Sequence, residues 1–556
     1  MTDYISIGST CNRQFKGIVR ANSLGNELLG KLGFIRFKPD KSKEQTVTVL
    51  CQITSVDRRN TVHEDPSFGP VIASQGHIPH LSDIGDYEEA LAKPIAQQVD
   101  GKPAPLRANP PSGTAIVSLD DTKIAFDGNP QVVFNEFASA PTKFLRYGGT
   151  LIGEPIHVPF IFKSFNPKSK EGWGEARHAG FFGRSGSGKT HAAKIMLGLS
   201  LVSVPDLGAF IPDGKGDFLS AGDKDLNIVD FLEKNGRTVE TVDITGLKLE
   251  EVDHFRDFLF IEGIPKLLIS GNKEKQMEIV DAALNVFTDD KDRLIIEGKD
   301  AIDCNRFIDE FNKRIKFAYA QSGIDQRIEA AMDKQETNKS RIKVRFEKVL
   351  KRFTTGIDIN EMVDSVLQKG SIYFLDIGSY ESEINRFILG VIYKRFRRQS
   401  AYHFRKKEYS NAIVYVDEAN RFIPQTPSDE LKPLTAELID GIKTTRQYGL
   451  AWWFADQRPA AISKDAFTQL GTYFFGKGMV AAADTANMEA VIGKEGVQIY
   501  EYVMSASTCP FVASGQFVGI GHDEGVTVPL EFFSGWQSLV DANNKDLDAH
   551  LDAFTP

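Results

Sequence analysis

The sequence predicts an α/β protein: a mostly parallel sheet flanked by helices, interrupted by a long helical insertion and preceded by a small β-barrel. Three observations carry this. From Phe144 onward, short apolar runs alternate with helical stretches, the pattern of strand–helix–strand crossovers. Residues 249–364 are charged, poor in glycine and helix-periodic. Residues 1–145 read instead as alternating strands broken by turns.

In the N-terminal part, residues 33–37 (GFIRF) and 46–50 (TVTVL) alternate in the manner of half-buried strands. The proline-rich stretch 102–112 reads as an exposed loop, and 114–119 as a further strand. A barrel over 1–145 follows. Residues 179–182 then form a short apolar strand, 191–201 a helix, and 207–212 and 239–244 two more strands. The insertion 249–364 carries the stripe Ile342, Phe346, Val349, Leu350 and Phe353, spaced for one helix face. Strands resume at 371–375, 412–416, 450–455 and 472–475. The α/β core is thus expected over 146–248 and 365–535. Residues 536–556, polar from Asp541 on, are expected to be a tail or docking helix.

Composition narrows the function. The 556 residues are 41% apolar, enough for two or three packed cores. Lys plus Arg number 66 against 75 Asp plus Glu, a net charge of -9. A basic coat around nucleic acid is excluded, and any such contact has to come from local basic elements. Cys11, Cys51, Cys304 and Cys509 are scattered without a CxxC pair. This argues against a disulfide framework or structural zinc and predicts a reducing, cytoplasmic setting. The start MTDYISIGST has no signal-peptide pattern, no apolar run is long enough to span a membrane, and no HExxH occurs.

Four segments carry chemistry. Gly183-Arg184-Ser185-Gly186-Ser187-Gly188-Lys189-Thr190 fits G-x-x-x-x-G-K-[ST], between a strand and a helix. Its glycines let successive N–H groups turn toward phosphate oxygens, Lys189 reaches the β/γ-phosphates, and the Thr190 hydroxyl ligates Mg²⁺. ATP and Mg²⁺ are the expected cofactors. The strand 412–416 ends in Asp417-Glu418, the Walker B pattern. Asp417 would hold the Mg²⁺ shell and Glu418 would activate water. The strand running into Asp456-Gln457-Arg458-Pro459 places Gln457 where it can meet γ-phosphate and water; a plain helix-capping loop is the bland alternative. Arg446, just before that strand, is a candidate to reach a neighbour's nucleotide, with Lys443 and Arg458 as rivals and a surface arginine as the bland reading.

In combination these segments resemble the HerA branch of the HerA/FtsK ATPases. The resemblance rests on Gly183 to Thr190; on Asp213-Gly214-Lys215-Gly216-Asp217-Phe218 after a strand; on Val416-Asp417-Glu418-Ala419-Asn420-Arg421-Phe422; and on Thr445-Arg446-Gln447-Tyr448-Gly449 followed by Asp456-Gln457-Arg458-Pro459. It implies a RecA-like P-loop ATPase core with a helical insertion behind a barrel. It also implies a homo-hexamer that moves on double-stranded DNA, often with a partner nuclease or, in some bacterial members, an NAD-hydrolysing effector in antiphage complexes. The alternative is a ring that assembles and activates such an effector with little motor activity. The chain departs from the family where Asn420 replaces His, Asp217 replaces Glu, and Thr444-Thr445 replace Glu-Gly before Arg446.

Two basic segments are candidates for phosphate contact. One holds Lys339, Arg341, Lys343, Arg345, Lys348, Lys351 and Arg352. The other holds Lys394, Arg395, Arg397, Arg398, Arg405, Lys406 and Lys407. A solvated face paired with nearby acids is the bland reading of each.

Overall fold

The computed structural model describes residues 3–11, 14–20, 23, 27–39, 44–76, 78, 80–81, 85–107, 109–119, 130–219, 226–318, 324–378, 382–506, 510–520 and 526–546. Cys509 and the end of the expected tail, 547–556, lie outside them. The chain divides into two compact units.

The first unit comprises Met1–Ala209, Asp217–Val239 and Ser400–Pro556. It opens with seven strands: β1 (Asp3–Cys11), β2 (Gln14–Val19), β3 (Leu32–Phe37), β4 (Val47–Asn60), β5 (Asp86–Val99), β6 (Lys102–Ala104) and β7 (Ala115–Ser118). They pair in the order β2-β1-β7-β3-β4-β5-β6, and β2 also pairs with β5. That closure makes a six-stranded antiparallel barrel with β6 appended to β5. Closing a sheet removes its unpaired edges. Ile5, Ile7, Phe15, Ile35, Val49, Ile53, Ala90, Ala92 and Ile116 fill the interior. Gly17 lies at the closure, paired with Ile7 on one side and Ala90 on the other. A Cβ there would collide with the Ser6 carbonyl. The proline-rich stretch expected to be loop throughout begins as strand β6, because Lys102 and Ala104 complete a hairpin with Val99 and Gln97.

β4 and β5 are each 14 residues long and stay paired to Asn60 and Asp86. Their far ends carry short helices, Thr61–Glu64 and Gly69–Gln75, with no buried residue.

The core of this unit adds β8 (Leu145–Leu151), β9 (His157–Ile161) and β10 (Ala179–Phe182). The second unit, Phe210–Gly216 and Glu240–Gln399, holds most of β11 (Gly208–Asp213), then β12 (Val239–Asp243), β13 (Leu247–Lys248), β14 (Ile357–Asp358) and β15 (Ile372–Asp376). The first unit closes with β16 (Ala412–Val416), β17 (Leu450–Asp456), β18 (Thr472–Phe475), β19 (Pro510–Gly515) and β20 (Val528–Phe532).

Within the first unit the strand order is β16-β17-β10-β18-β19-β20-β8-β9. The four strands from β16 to β18 are parallel, and β10, β16, β17 and β18 are wholly buried and, apart from Asp456 and Thr472, apolar, as expected of strands covered on both faces. The other four run antiparallel, a half of the sheet that the strand–helix alternation does not announce. The helix Trp536–Asp546 packs back on this core. Trp536 stacks on Phe231 at 4.0 Å, and Asn543 bonds both N–H and C=O of Tyr147.

In the second unit β12, β15 and β11 lie side by side. Its helices, the longest being Ile324–Thr354, pack around Phe255, Phe258, Phe307, Phe346 and Phe353. Ile342, Phe346, Val349 and Phe353 of the expected stripe are buried, and Leu350 is half-buried. The parallel pair β13–β14 ties the two ends of this helical region together.

Candidate active site

The parallel strands place the site. Phe182 at the end of β10 is paired with Asp456 at the end of β17, and Val416 at the end of β16 with Phe454. The segments after these three strands therefore emerge together at one edge of the sheet, the edge where open α/β sheets bind ligands. They are Gly183–Thr190, Asp417-Glu418 and Gln457-Arg458.

The loop Gly183–Thr190 turns through left-handed Gly186 (φ 78°) and Gly188 (φ 87°), conformations that suit glycine. The helix Lys189–Ser203 starts directly behind it, so its positive end faces the loop. Lys189 Nζ donates to the carbonyls of Gly183 (2.6 Å) and Arg184 (3.2 Å), folded over its own loop. Thr190 stands in the helix's first turn, half-buried.

Support comes from a segment that motif reading passes over. After β18, Gly476 donates its N–H to the Phe182 carbonyl (2.7 Å), and the Lys477 carbonyl accepts from Arg184 N (2.9 Å). Gly478 (φ 106°) packs so closely that a Cβ would lie 2.8 Å from the Arg184 Cβ. Tyr500 holds this support: its hydroxyl donates to the Gly476 carbonyl (3.0 Å) and accepts from Met479 N (3.0 Å). Gly-Lys-Gly is visible in the sequence, but nothing local connects it with a loop 290 residues earlier.

Asp417 and Glu418 are both half-buried. Glu418 sits in the left-handed region (φ 48°), sparsely populated by residues with a side chain and costing of order 1–3 kcal/mol. Its N–H donates to Asp417 Oδ1 (3.0 Å), and its carboxylate is ion-paired with Arg421 Nε. Among the described residues no group of three or more His, Cys, Asp or Glu side chains could hold a metal ion. The oxygen donors Thr190 and Asp417 fit Mg²⁺, which characteristically takes one or two protein ligands and completes its shell with water and nucleotide phosphates.

Asp456 is 4% exposed. Its Oδ2 accepts from Asn420 N (2.8 Å) and its Oδ1 from Arg458 N (3.2 Å). Its carbonyl accepts from Gly183 N (3.3 Å). Burial raises its pKa, and the amides of Asn420, Arg458 and Gln457 together with the Lys189 charge oppose that rise. Sequence reading gave the role at this strand end to Gln457, which is exposed. The rival Arg458 is fixed beside the site by buried Asp484 (2.9 Å). The rival Lys443 pairs with Asp465 (2.7 Å).

Arg446 is not brought to this edge. It forms the turn Arg446–Tyr448 before β17, at the strand's opposite end, and pairs with Glu175 (2.9 Å). Seven strand residues separate it from Gln457, about 20 Å of extended chain.

Residues 176–396 match the family model described as helicase HerA, central domain. Over this segment the chain is similar to the HerA central domain. No curated protein matches it. Among solved structures it is similar to VirB4 of Thermoanaerobacter pseudethanolicus, at 11% identity and TM-score 0.40 over 71% of this chain and 98% of that one. It is also similar to the bacterial conjugative coupling protein TrwBdeltaN70, at 9% and 0.37 over 77% and 94%. A third likeness is to the genome packaging NTPase B204 of Sulfolobus turreted icosahedral virus 2, at 9% and 0.28 over 64% and 98%. These likenesses are weak and carry no argument. The matched segment includes the P-loop and ends before the Walker B strand. It spans the first basic candidate segment, whose contacts are largely internal. Lys348 pairs with Glu262 (2.6 Å), Arg345 donates to the Glu262 carbonyl, Lys339 pairs with Glu336 (3.2 Å) and Lys343 with Glu347 (3.8 Å). In the second, Arg395 is ion-paired with Glu251, and Lys406 lies over the Tyr402 ring at 4.2 Å. These contacts favour the bland reading for both.

Proposed function

We propose that this HerA-type ATPase works as a homo-hexameric ring that couples ATP hydrolysis to movement on double-stranded DNA. One observation carries the ring: the P-loop with Asp417 and Glu418 sits at one end of the parallel strands and Arg446 at the other. An arginine about a strand length from its own nucleotide can stabilise phosphoryl transfer only in a neighbour's site. In that site Lys189 and the loop amides hold the phosphates, Glu418 orients and deprotonates the attacking water, and Gln457 lies beside both. Thr190 and Asp417 would hold Mg²⁺, which offsets charge on the phosphate oxygens when bound. The helicase description of the matching family supports DNA as the track. The test is ATP hydrolysis with and without double-stranded DNA, beside the particle mass. A hexamer stimulated by DNA fits; a monomer that hydrolyses ATP at full rate contradicts the proposal.

A second reading has its own support. The short helices at the ends of β4 and β5 bury none of their residues, and helices that short are not stable alone in water. Such a surface suits a partner protein, a nuclease or NAD-hydrolysing effector that the ring would organise. Replacing residues 61–85 by a short turn would abolish effector binding and spare the ring under this reading. Retained binding would refute it.

A further inference from the structure

We propose that Asp456 is a positioning residue for ATP hydrolysis, which sets Glu418 against the P-loop through the two sides of one carboxylate and its own carbonyl. The inference rests on the ATPase reading and names a residue within that site.

Three observations meet at Asp456. Its carbonyl accepts the N–H of Gly183, the first residue of the phosphate loop. Its Oδ2 accepts the N–H of Asn420, two residues beyond Glu418. Its Oδ1 accepts the N–H of Arg458, whose side chain is anchored by Asp484. A single residue therefore ties the cradle, the turn bearing the water activator and the loop bearing Gln457. That turn needs an external tie, because Glu418 is held in a left-handed conformation that a free chain would leave. The reaction demands such fixing: misplacement of a reacting group by about 1 Å costs on the order of a hundredfold in rate.

The residue type argues the same way. Burying a carboxylate is costly unless it is fully bonded, and each oxygen of the Asp456 carboxylate accepts a backbone N–H. A carboxylate accepts several amides at once, which one hydroxyl cannot. Its charge also faces Lys189, so it opposes part of the attraction that Lys189 exerts on phosphate. Removing the charge should therefore loosen the turn without weakening, and even while tightening, the hold on nucleotide. General damage to the site would weaken both.

The test uses the full chain with Asp456→Asn and, in case the asparagine's NH₂ clashes with the amides it faces, the smaller Asp456→Ser. Rates are counted per nucleotide-binding site, titrated with a fluorescent ATP analogue. The expected result is a fall in kcat of at least about tenfold, with the analogue's Kd unchanged or lower. Unchanged kcat in both variants overturns the proposal, as does a parallel loss of kcat and affinity. Wild-type protein and Glu418→Gln run alongside. If the wild type does not hydrolyse ATP, or Glu418→Gln hydrolyses normally, the ATPase reading itself fails. If both controls behave and Asp456→Asn and Asp456→Ser turn over normally, only the role of Asp456 fails.

Discussion

Arg446 and Gln457 flank the same strand, one before Leu450 and one after Asp456. Gln457 faces the edge where the phosphate loop emerges, and Arg446 lies at the far edge, paired with Glu175. One chain thus offers most of the candidate site at one edge and Arg446 at the other.

Glu418 and Lys189 should separate binding from turnover. Glu418→Gln keeps the phosphate cradle and removes the base, so it should bind ATP normally and hydrolyse at least about a hundredfold more slowly. Lys189→Ala should lose affinity, because the proposed site has Nζ exchange its present loop carbonyls for phosphate oxygens. Equilibrium binding and steady-state hydrolysis on each variant check this. Normal turnover by Glu418→Gln would remove it from the mechanism.

His178 gives a pH prediction. It is wholly buried between Trp452 N, which donates to Nδ1 (3.0 Å), and the Ile442 carbonyl, which accepts from Nε2 (2.9 Å). Burial lowers its pKa from 6.5 to about 4. The unfolded chain therefore takes up a proton before the folded one does. The stability tied to the neutral ring is complete above pH 6.5 and falls as pH drops toward 4, by roughly 3 kcal/mol in total. Denaturant melts of the wild type and His178→Gln at pH 7.5 and 4.5 test it. The variant should be less stable at pH 7.5 and should lose less on acidification. Equal losses would contradict the assignment.

The basic stretch of the long helix Ile324–Thr354 can now be read by its contacts. Lys348 and Arg345 both engage Glu262, so changing Lys343, Arg345 and Lys348 together to Glu sets like charges against that residue. The melting point should fall, reflecting about 1–3 kcal/mol. DNA affinity and its salt dependence, measured below the melt, should stay as in the wild type. A flattened salt dependence would return this helix to the DNA path.

What the sequence made legible follows from how local each signal is. The phosphate loop is eight consecutive residues, and β16 is an unbroken apolar run, so each could be read where it stands. Glu418 and Asp417 were legible because they are adjacent at a strand end. Asp456 was not, because its partners Gly183 and Asn420 are brought to it by tertiary structure. The Gly476–Gly478 support failed for the same reason. The antiparallel half of the sheet stayed hidden because the pairing that joins it, Leu530 of β20 with Leu151 of β8, brings together residues from opposite ends of the core sequence. Helices 61–64 and 69–75 bury nothing, so they leave no periodic stripe to find.

The composite site is tested most directly by mixing two inactive proteins. Arg446→Ala has an intact phosphate loop and Glu418; Glu418→Gln has an intact Arg446. In co-assembled rings, some interfaces pair a whole nucleotide site from the first with a whole arginine from the second. The account predicts that hydrolysis, low in each protein alone, rises above the sum of the two on mixing. No gain in rings shown to be mixed would contradict a site shared between subunits.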